Sequence, residues 1–253
     1  MVKKFFLAVF VTVLTTVSAF AAHPLITDDT GTQDKGKFQL EVNGEYAHED
    51  EDGAKAGTTE VAAILSYGVR DNLDIVLGVP FQRLRVKEDG YAVAREVGFS
   101  DTSVEVKWRF LEQETLSLAL KPGVTLPIGD DEKGLGSGEV NFSAFFIATW
   151  HAEPFSVHAN LGYLHNENDV DERKNLWHSS VGIEYAVTEK VKLVGNIGIE
   201  QNTDRNINTH PAFIIGGLIC ALSEHVDIDF GIKGGLNEPE ADYATLAGIL
   251  WRF

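Results

Sequence analysis

The sequence carries a single cysteine, Cys220, so no internal disulfide can staple it. That thiol has no zinc-type companions and reads as packed and inert; its stretch is apolar on both strand faces, which leaves its direction open. Basic residues are scarce: 21 Lys and Arg stand against 38 Asp and Glu, for a net charge of −17. Such a chain makes a poor partner for nucleic acid, whose binding depends on cations that neutralise phosphate. Beyond the N-terminus no run is long and apolar enough for a transmembrane helix. No sustained helical period appears either.

What is present begins with MVKKFFLAVFVTVLTTVSAFAAHP. Lys3 and Lys4 precede an apolar core at residues 5–14, and Ala19-Phe20-Ala21 forms a small-x-small site. This is the layout of a secretory signal peptide, residues 1–21, cut after Ala21. Its core is short for a membrane anchor. The exported chain is then either soluble or a β-barrel. A hydrophobic fraction of 44% and a mean hydropathy of −0.06 suit both, because strand alternation hides membrane character from an average.

Residues 22–37 are polar, contain Pro24, Gly31 and Gly36, and lack alternation. They read as an irregular lead-in that either plugs a lumen or lies at its periplasmic mouth. From residue 38 onward apolar and polar residues alternate almost without a break. Segments at 38–46, 59–69, 73–81, 104–110, 116–128, 140–150, 155–163, 177–187, 191–199, 211–222, 226–236 and 243–253 read as strands. The residues after Phe81 reverse the apolar parity to Leu84 and Val86; with Pro80 nearby, this predicts a bulge or an extension beyond the membrane.

The connections alternate in length. Those near 70–72, 112–114, 151–153, 188–190 and 223–225 are tight, whereas those at 48–57, 87–96, 129–138, 166–174, 201–209 and 237–242 are longer. Short periplasmic turns and longer extracellular loops produce this rhythm in an even-stranded barrel. Tyr46, Phe81, Phe142, Tyr163, Trp177 and Tyr243 fall near the long-loop ends. Tyr67, Trp108, Phe110, Trp150, Phe155, Tyr185, Trp251 and Phe253 fall near the tight-turn ends. Two aromatic girdles are expected where a barrel meets both membrane interfaces. The reading is therefore all-β: a transmembrane antiparallel up-and-down β-barrel of about 12 strands over residues 38–253, in the outer membrane of a Gram-negative bacterium.

Three segments carry a family resemblance: HPLITDDTGTQDKGKFQLEVNGEY at 23–46, GFSDTSVEVKWRF at 98–110 and KPGVTLPIGDDEKGLGSG at 121–138. Together with the closing strand they resemble the outer-membrane proteins grouped under the "MetA-pathway of phenol degradation", a family labelled as transporters. The resemblance implies a channel for small, often aromatic or hydrophobic solutes. It transfers no functional residue.

The face opposite the apolar stripe gives the candidate lumen lining: Glu41, Asn43, Glu45, Glu60, Glu105, Lys107, Arg109, His158, Asn160, His178, Glu184, Lys192, Asn196, Glu200, Asp227, Asp229, Lys233 and Arg252. Such a mixed-charge set either tunes passage or cross-links the interior through ion pairs. Ser156, His158 and Asn160, and separately His178 and Ser180, have hydrolase residue types but no distinguishing motif. No enzyme activity, cofactor or resident metal is expected. The acidic runs at 49–52, 130–132, 167–172 and 238–242 could offer oxygen ligands but match no ordered calcium loop; solvated, mutually repelling loops are the plainer account.

The expected function is passive or facilitated diffusion of a small solute. The alternative is a closed structural barrel serving envelope integrity or surface contact. Expected partners are outer-membrane lipids and lipopolysaccharide, the solute, and the barrel-assembly machinery acting on the C-terminal Phe253.

Overall fold

A computed structural model describes residues 23–51, 54–88, 91–168 and 171–253. The expected signal peptide lies outside the described residues. The strands are β1 (Phe38–Glu51), β2 (Ala54–Arg70), β3 (Leu73–Glu88), β4 (Tyr91–Phe99), β5 (Thr102–Glu112), β6 (Leu116–Leu126), β7 (Asn141–Ala152), β8 (Phe155–His165), β9 (Asn175–Ala186), β10 (Val191–Glu200), β11 (Ala212–Ala221), β12 (Val226–Gly235) and β13 (Tyr243–Arg252). All pairings are antiparallel. The sheet closes where β1 meets β13, from Gln39↔Arg252 to His48↔Tyr243. Closure pairs the strands on both sides through the lipid-crossing part of the wall, the condition for crossing lipid with strands, and among the described residues β4 alone pairs on one side only.

Twelve staves make that wall, because β4 and β5 share one. β5 pairs with the first half of β3, from Leu73↔Trp108 to Gly78↔Ser103. β4 pairs with its second half, from Phe81↔Phe99 to Glu88↔Tyr91. The stretches 48–57 and 87–96, expected as loops, are largely ladder: β1 and β2 stay paired out to Glu51↔Ala54. Beyond Pro80 the β2–β3 register runs unbroken from Leu65↔Leu77 to Ala54↔Glu88, and the register shift lies on the other side of β3, where the pairing with β4 slips between Val86 and Lys87. The parity reversal is chemical. Leu84 and Val86 are buried on the inner side while Arg83 and Arg85 stay exposed outside. Beyond the lipid the outer face meets water, so charge moves outward and apolar side chains turn in.

All fourteen rings expected in the girdles are exposed on the outer face. Exposed apolar surface on this scale marks contact with something other than water; in a closed barrel that is lipid. β11, apolar on both faces in the sequence, has Phe213 and Ile215 buried inside and Ile214 exposed outside. By the same alternation Cys220 faces outward, opposite Val191 and Ile228. The β5–β6 ladder is interrupted in mid-wall: pairing runs to Glu105↔Gly123 and resumes at Trp108↔Leu120. Pro122 lies in the gap and has no N–H to give.

Candidate functional site

Residues 23–37 enter the barrel and cross it. Their partners lie on strands all around the wall. His23 Nδ1 meets Asp229 Oδ1 on β12 at 2.5 Å. On β10, Asn196 Oδ1 accepts from the backbone N–H groups of Ile26 at 2.8 Å and Thr27 at 3.0 Å, and its Nδ2 donates to Thr27 Oγ1 at 2.6 Å. The Asn160 amide on β8 brackets the Asp28 backbone, accepting from its N–H at 2.6 Å and donating to its carbonyl at 2.9 Å. Thr149 Oγ1 accepts from Thr30 N–H at 3.1 Å. The Gln33 N–H donates to the Asp74 carboxylate on β3 at 2.9 and 3.1 Å. The segment then reaches the periplasmic rim, where Lys35 N–H donates to Asp71 Oδ1 at 2.9 Å.

Asp28, fully buried, is the centre of this latch. Lys107 Nζ donates to its Oδ1 and Lys121 Nζ to its Oδ2, each at 2.7 Å. Lys107 also reaches Asp29 at 3.3 Å, and Lys121 lies 3.5 Å from Glu105. A lone buried carboxylate would be costly; flanked by two ammonium groups it is compensated. Asp28, Lys107 and Lys121 come from the three family-like sequence segments, which therefore meet at one point. Asp101 joins the second and third again by accepting from the Gly129 and Ser137 backbone N–H groups at 3.0 and 2.7 Å.

Missing side chains in the wall make room for the segment. A Cβ on Gly217 or on Gly231 would lie 2.7 Å from Pro24, closer than packed atoms approach. Glycine at these two wall positions lets the segment lie against bare backbone.

The segment divides the interior into two halves. Below it lies a polar cavity of about 530 Å³, whose lining includes Arg109, His158, Glu184, Lys192, Asp227 and Arg252. Its charges are largely paired: Lys192 with Glu184 at 2.8 Å and Arg252 with Asp227 at 2.6 Å. Arg109 reaches the Asp71 carbonyl at 3.1 Å and Glu112 at 3.2 Å. Glu41 accepts from Gln39 at 2.8 Å and from Asn43 at 3.2 Å. His158 Nδ1 meets Thr149 Oγ1 at 3.0 Å, while its Nε2 makes no hydrogen bond.

Above the segment the interior mixes two apolar clusters with buried polar and charged groups. Phe145 (1% exposed) packs with Ile147, Ala119 and Leu164. Phe213 (2%), Ile215 (2%) and Leu246 (3%) pack with Ile26 of the segment itself. Polar groups are set among them in pairs. Lys233 lies over the Phe213 ring at 5.8 Å and meets Glu240 at 3.0 Å and Glu45 at 3.4 Å. Gln82 donates to Glu60 at 2.6 Å.

His178 Nε2 lies 2.9 Å from Ser180 Oγ, and its Nδ1 lies 3.3 Å from Glu200 Oε2. The spacing resembles a hydrolytic relay. Ser180, however, stands mid-ladder opposite Gly198, where backbone N–H groups are committed to strand pairing and make no oxyanion hole. Ser156 is partnered instead by His151 at 3.2 Å. The acidic loops are ion-paired in several places rather than merely solvated: Asp171 with Arg205 at 2.6 Å, Glu167 with Lys174, and Asp130 with Lys133.

The sequence reading left out Asp28, Lys121, Phe145 and Phe213 as interior groups. Lys121 was legible from parity alone, between Leu120 and Pro122. Phe145 sits within FSAFFIATW, where apolar residues occupy both faces and alternation gives no direction.

No curated protein matches the chain. The fold is similar to a crystal structure of an outer membrane channel from Pseudomonas putida F1, with a TM-score of 0.72 and 14% identity over 89% of this chain and 98% of that one. The KdgM porin gives 0.58 and 9% identity, over 85% of this chain and 99% of that one. The translocator domain of the autotransporter NalP from Neisseria meningitidis gives 0.51 and 9%, over 88% and 91%. Identities this low establish a shared outer-membrane barrel fold, and a porin and a secretion domain share it equally. The finer placement comes from the sequence family: residues 21–253 match the family described as "Putative MetA-pathway of phenol degradation", and the chain belongs to that family.

Proposed function

We propose that the protein is a diffusion channel for small, apolar or aromatic solutes, kept shut by its own N-terminal segment. The observation that carries this reading is a set of apolar side chains in the lining above the segment: Phe145, Phe213, Ile215 and Leu246 are buried on the inner face of the wall. A lumen made only for ions and sugars would be lined with polar groups. Rings and branched side chains favour an apolar solute entering from outside. The P. putida neighbour, itself a channel, supports the class, and the family description names phenol degradation. The mixed-charge lining residues at and below the segment would then serve two tasks. Those around Asp28 hold the segment, and those lining the lower cavity keep the periplasmic exit wet. The interrupted β5–β6 seam offers apolar solute a sideways way out toward lipid. Outer-membrane lipids contact the outer stripe, and Phe253 would be read by the assembly machinery.

The latch itself favours a second reading, a closed structural barrel. Planar-bilayer conductance and phenol flux into liposomes decide between them, using the intact barrel and a variant lacking residues 23–34. Flux through either form, rising in the truncated one, supports the channel. A folded truncated barrel that passes neither ions nor phenol rejects it. Val106→Cys with Pro122→Cys, opposite each other across the seam, tests the sideways exit: oxidation should lower phenol flux and leave ion conductance unchanged.

A further inference from the structure

We infer that the outer face of the β2–β3–β4 extension binds the phosphorylated headgroup of lipopolysaccharide. This rests on the barrel standing in the outer membrane with its longer connections outward; it does not depend on transport. The aromatic row Phe81 and Phe99 is paired across β3 and β4 and marks the top of the apolar belt. Two residues further along each strand the outer face changes to Arg83 opposite Val97. Two further still, Arg85 stands directly opposite Arg95. On the next row Lys87 stands opposite Lys55 of β2.

At about 3.3 Å per residue these cations lie roughly 7 to 20 Å along the strand beyond the aromatic row, less after strand tilt. That is the level of the headgroup layer and the water just above it. In a chain of net charge −17 such a cluster of one sign is conspicuous, and among the described residues only Lys55 of it is ion-paired. Lys55 is paired with Asp50. Arg83, Arg85, Lys87 and Arg95 form no ion pair and no side-chain hydrogen bond among the described residues. Like charges directly opposite on one face of a sheet repel and destabilise it. The Arg85–Arg95 pair therefore calls for an anion held between the two guanidinium groups, which suit phosphate oxygens in bidentate fashion. Beside it Val97 (57% exposed) and Phe99 (58%) supply apolar surface for acyl chains. A phosphorylated, acylated glycolipid satisfies both features; a free phosphate satisfies only one.

The test uses the folded full-length barrel in detergent, its fold checked by heat-modifiable migration. Binding is titrated with deep-rough lipopolysaccharide, the same glycolipid after dephosphorylation, phosphatidylglycerol and inorganic phosphate. Arg85→Ala with Arg95→Ala should weaken lipopolysaccharide binding about 25-fold, near fivefold per charge, with the wild-type affinity falling as salt rises. Lys37→Ala with Arg70→Ala, the same change in net charge at the periplasmic rim, should leave it unchanged. Equal binding of the dephosphorylated glycolipid, of phosphatidylglycerol or of phosphate would overturn the assignment, as would full affinity in the double Arg variant. A barrel that fails the migration test in wild type would instead count against the membrane reading beneath it.

Discussion

The halves of the lumen below and above the crossing segment belong to one wall with one alternation, yet the lower half is lined by polar groups and the upper half adds apolar clusters to them. Below, inward positions hold Arg109, His158, Glu184, Lys192, Asp227 and Arg252 around a polar cavity. Above, β7, β11 and β13 turn Phe145, Phe213, Ile215 and Leu246 inward. The boundary is the segment, bound below by charge and hydrogen bonds and covered above by Ile26 on apolar side chains. The difference teaches that "inward" does not mean "polar" here. A strand position takes its character from what fills the lumen at that level, whether water, the segment or an apolar guest.

The comparison breaks most sharply at the latch. Lys121→Met leaves Asp28 and Glu105 under-compensated and should cost about 3–5 kcal/mol, read as a lower urea midpoint by tryptophan fluorescence. Adding Asp28→Asn should recover part of that loss. A cost below about 1 kcal/mol would mean the charges are hydrated and the lower boundary is not tight.

Forcing the segment off the wall is next. Gly231→Leu places side-chain atoms where Pro24 lies and should cost about 1–3 kcal/mol as overpacking. Conductance should appear in bilayers while the barrel stays folded; silent bilayers would uncouple the segment from closure.

The upper half is probed by Phe213→Ala. Losing that ring should cost about 2 kcal/mol of apolar burial and lower phenol flux about tenfold relative to a small sugar. Equal loss for both solutes would reduce the upper lining to packing.

The smallest effect is at the rim. Burial pushes the Glu172 carboxyl up; a hydrogen bond from Asn166 opposes this and the charge of Asp204 adds to it. A carboxyl raised on folding favours the folded loop below its unfolded pKa, and that contribution is lost as pH rises through the folded value. Hydrogen exchange over residues 166–174 should therefore quicken from acid to neutral pH more in the wild type than in Glu172→Gln.

Much of the wall was legible because lipid imposes a simple rule on one face only. The outward stripe from Phe38 to Phe253 must be apolar whatever lies inside, so period-two alternation survives and the girdles can be placed by residue. The rule fails where the outside is no longer lipid, and there Leu84 and Val86 reverse the apolar parity and residues 87–96 read as a loop. It also fails where the inside is not water, as at Phe145 and along β11, because both faces then look alike.

The sequence by itself determined the twelve-stave closed barrel and its two ends, since alternation, turn length and ring position are local properties set by backbone geometry and bilayer thickness. It could not determine which charges meet. Asp28, Lys107 and Lys121 are separated by 79 and 93 positions from the acid to each base, and only closure of the sheet brings them together at the crossing segment. Whether an inward residue is a lining, a latch or a floor follows from that long-range meeting, because pairing energy depends on distances between strands and no local pattern encodes those.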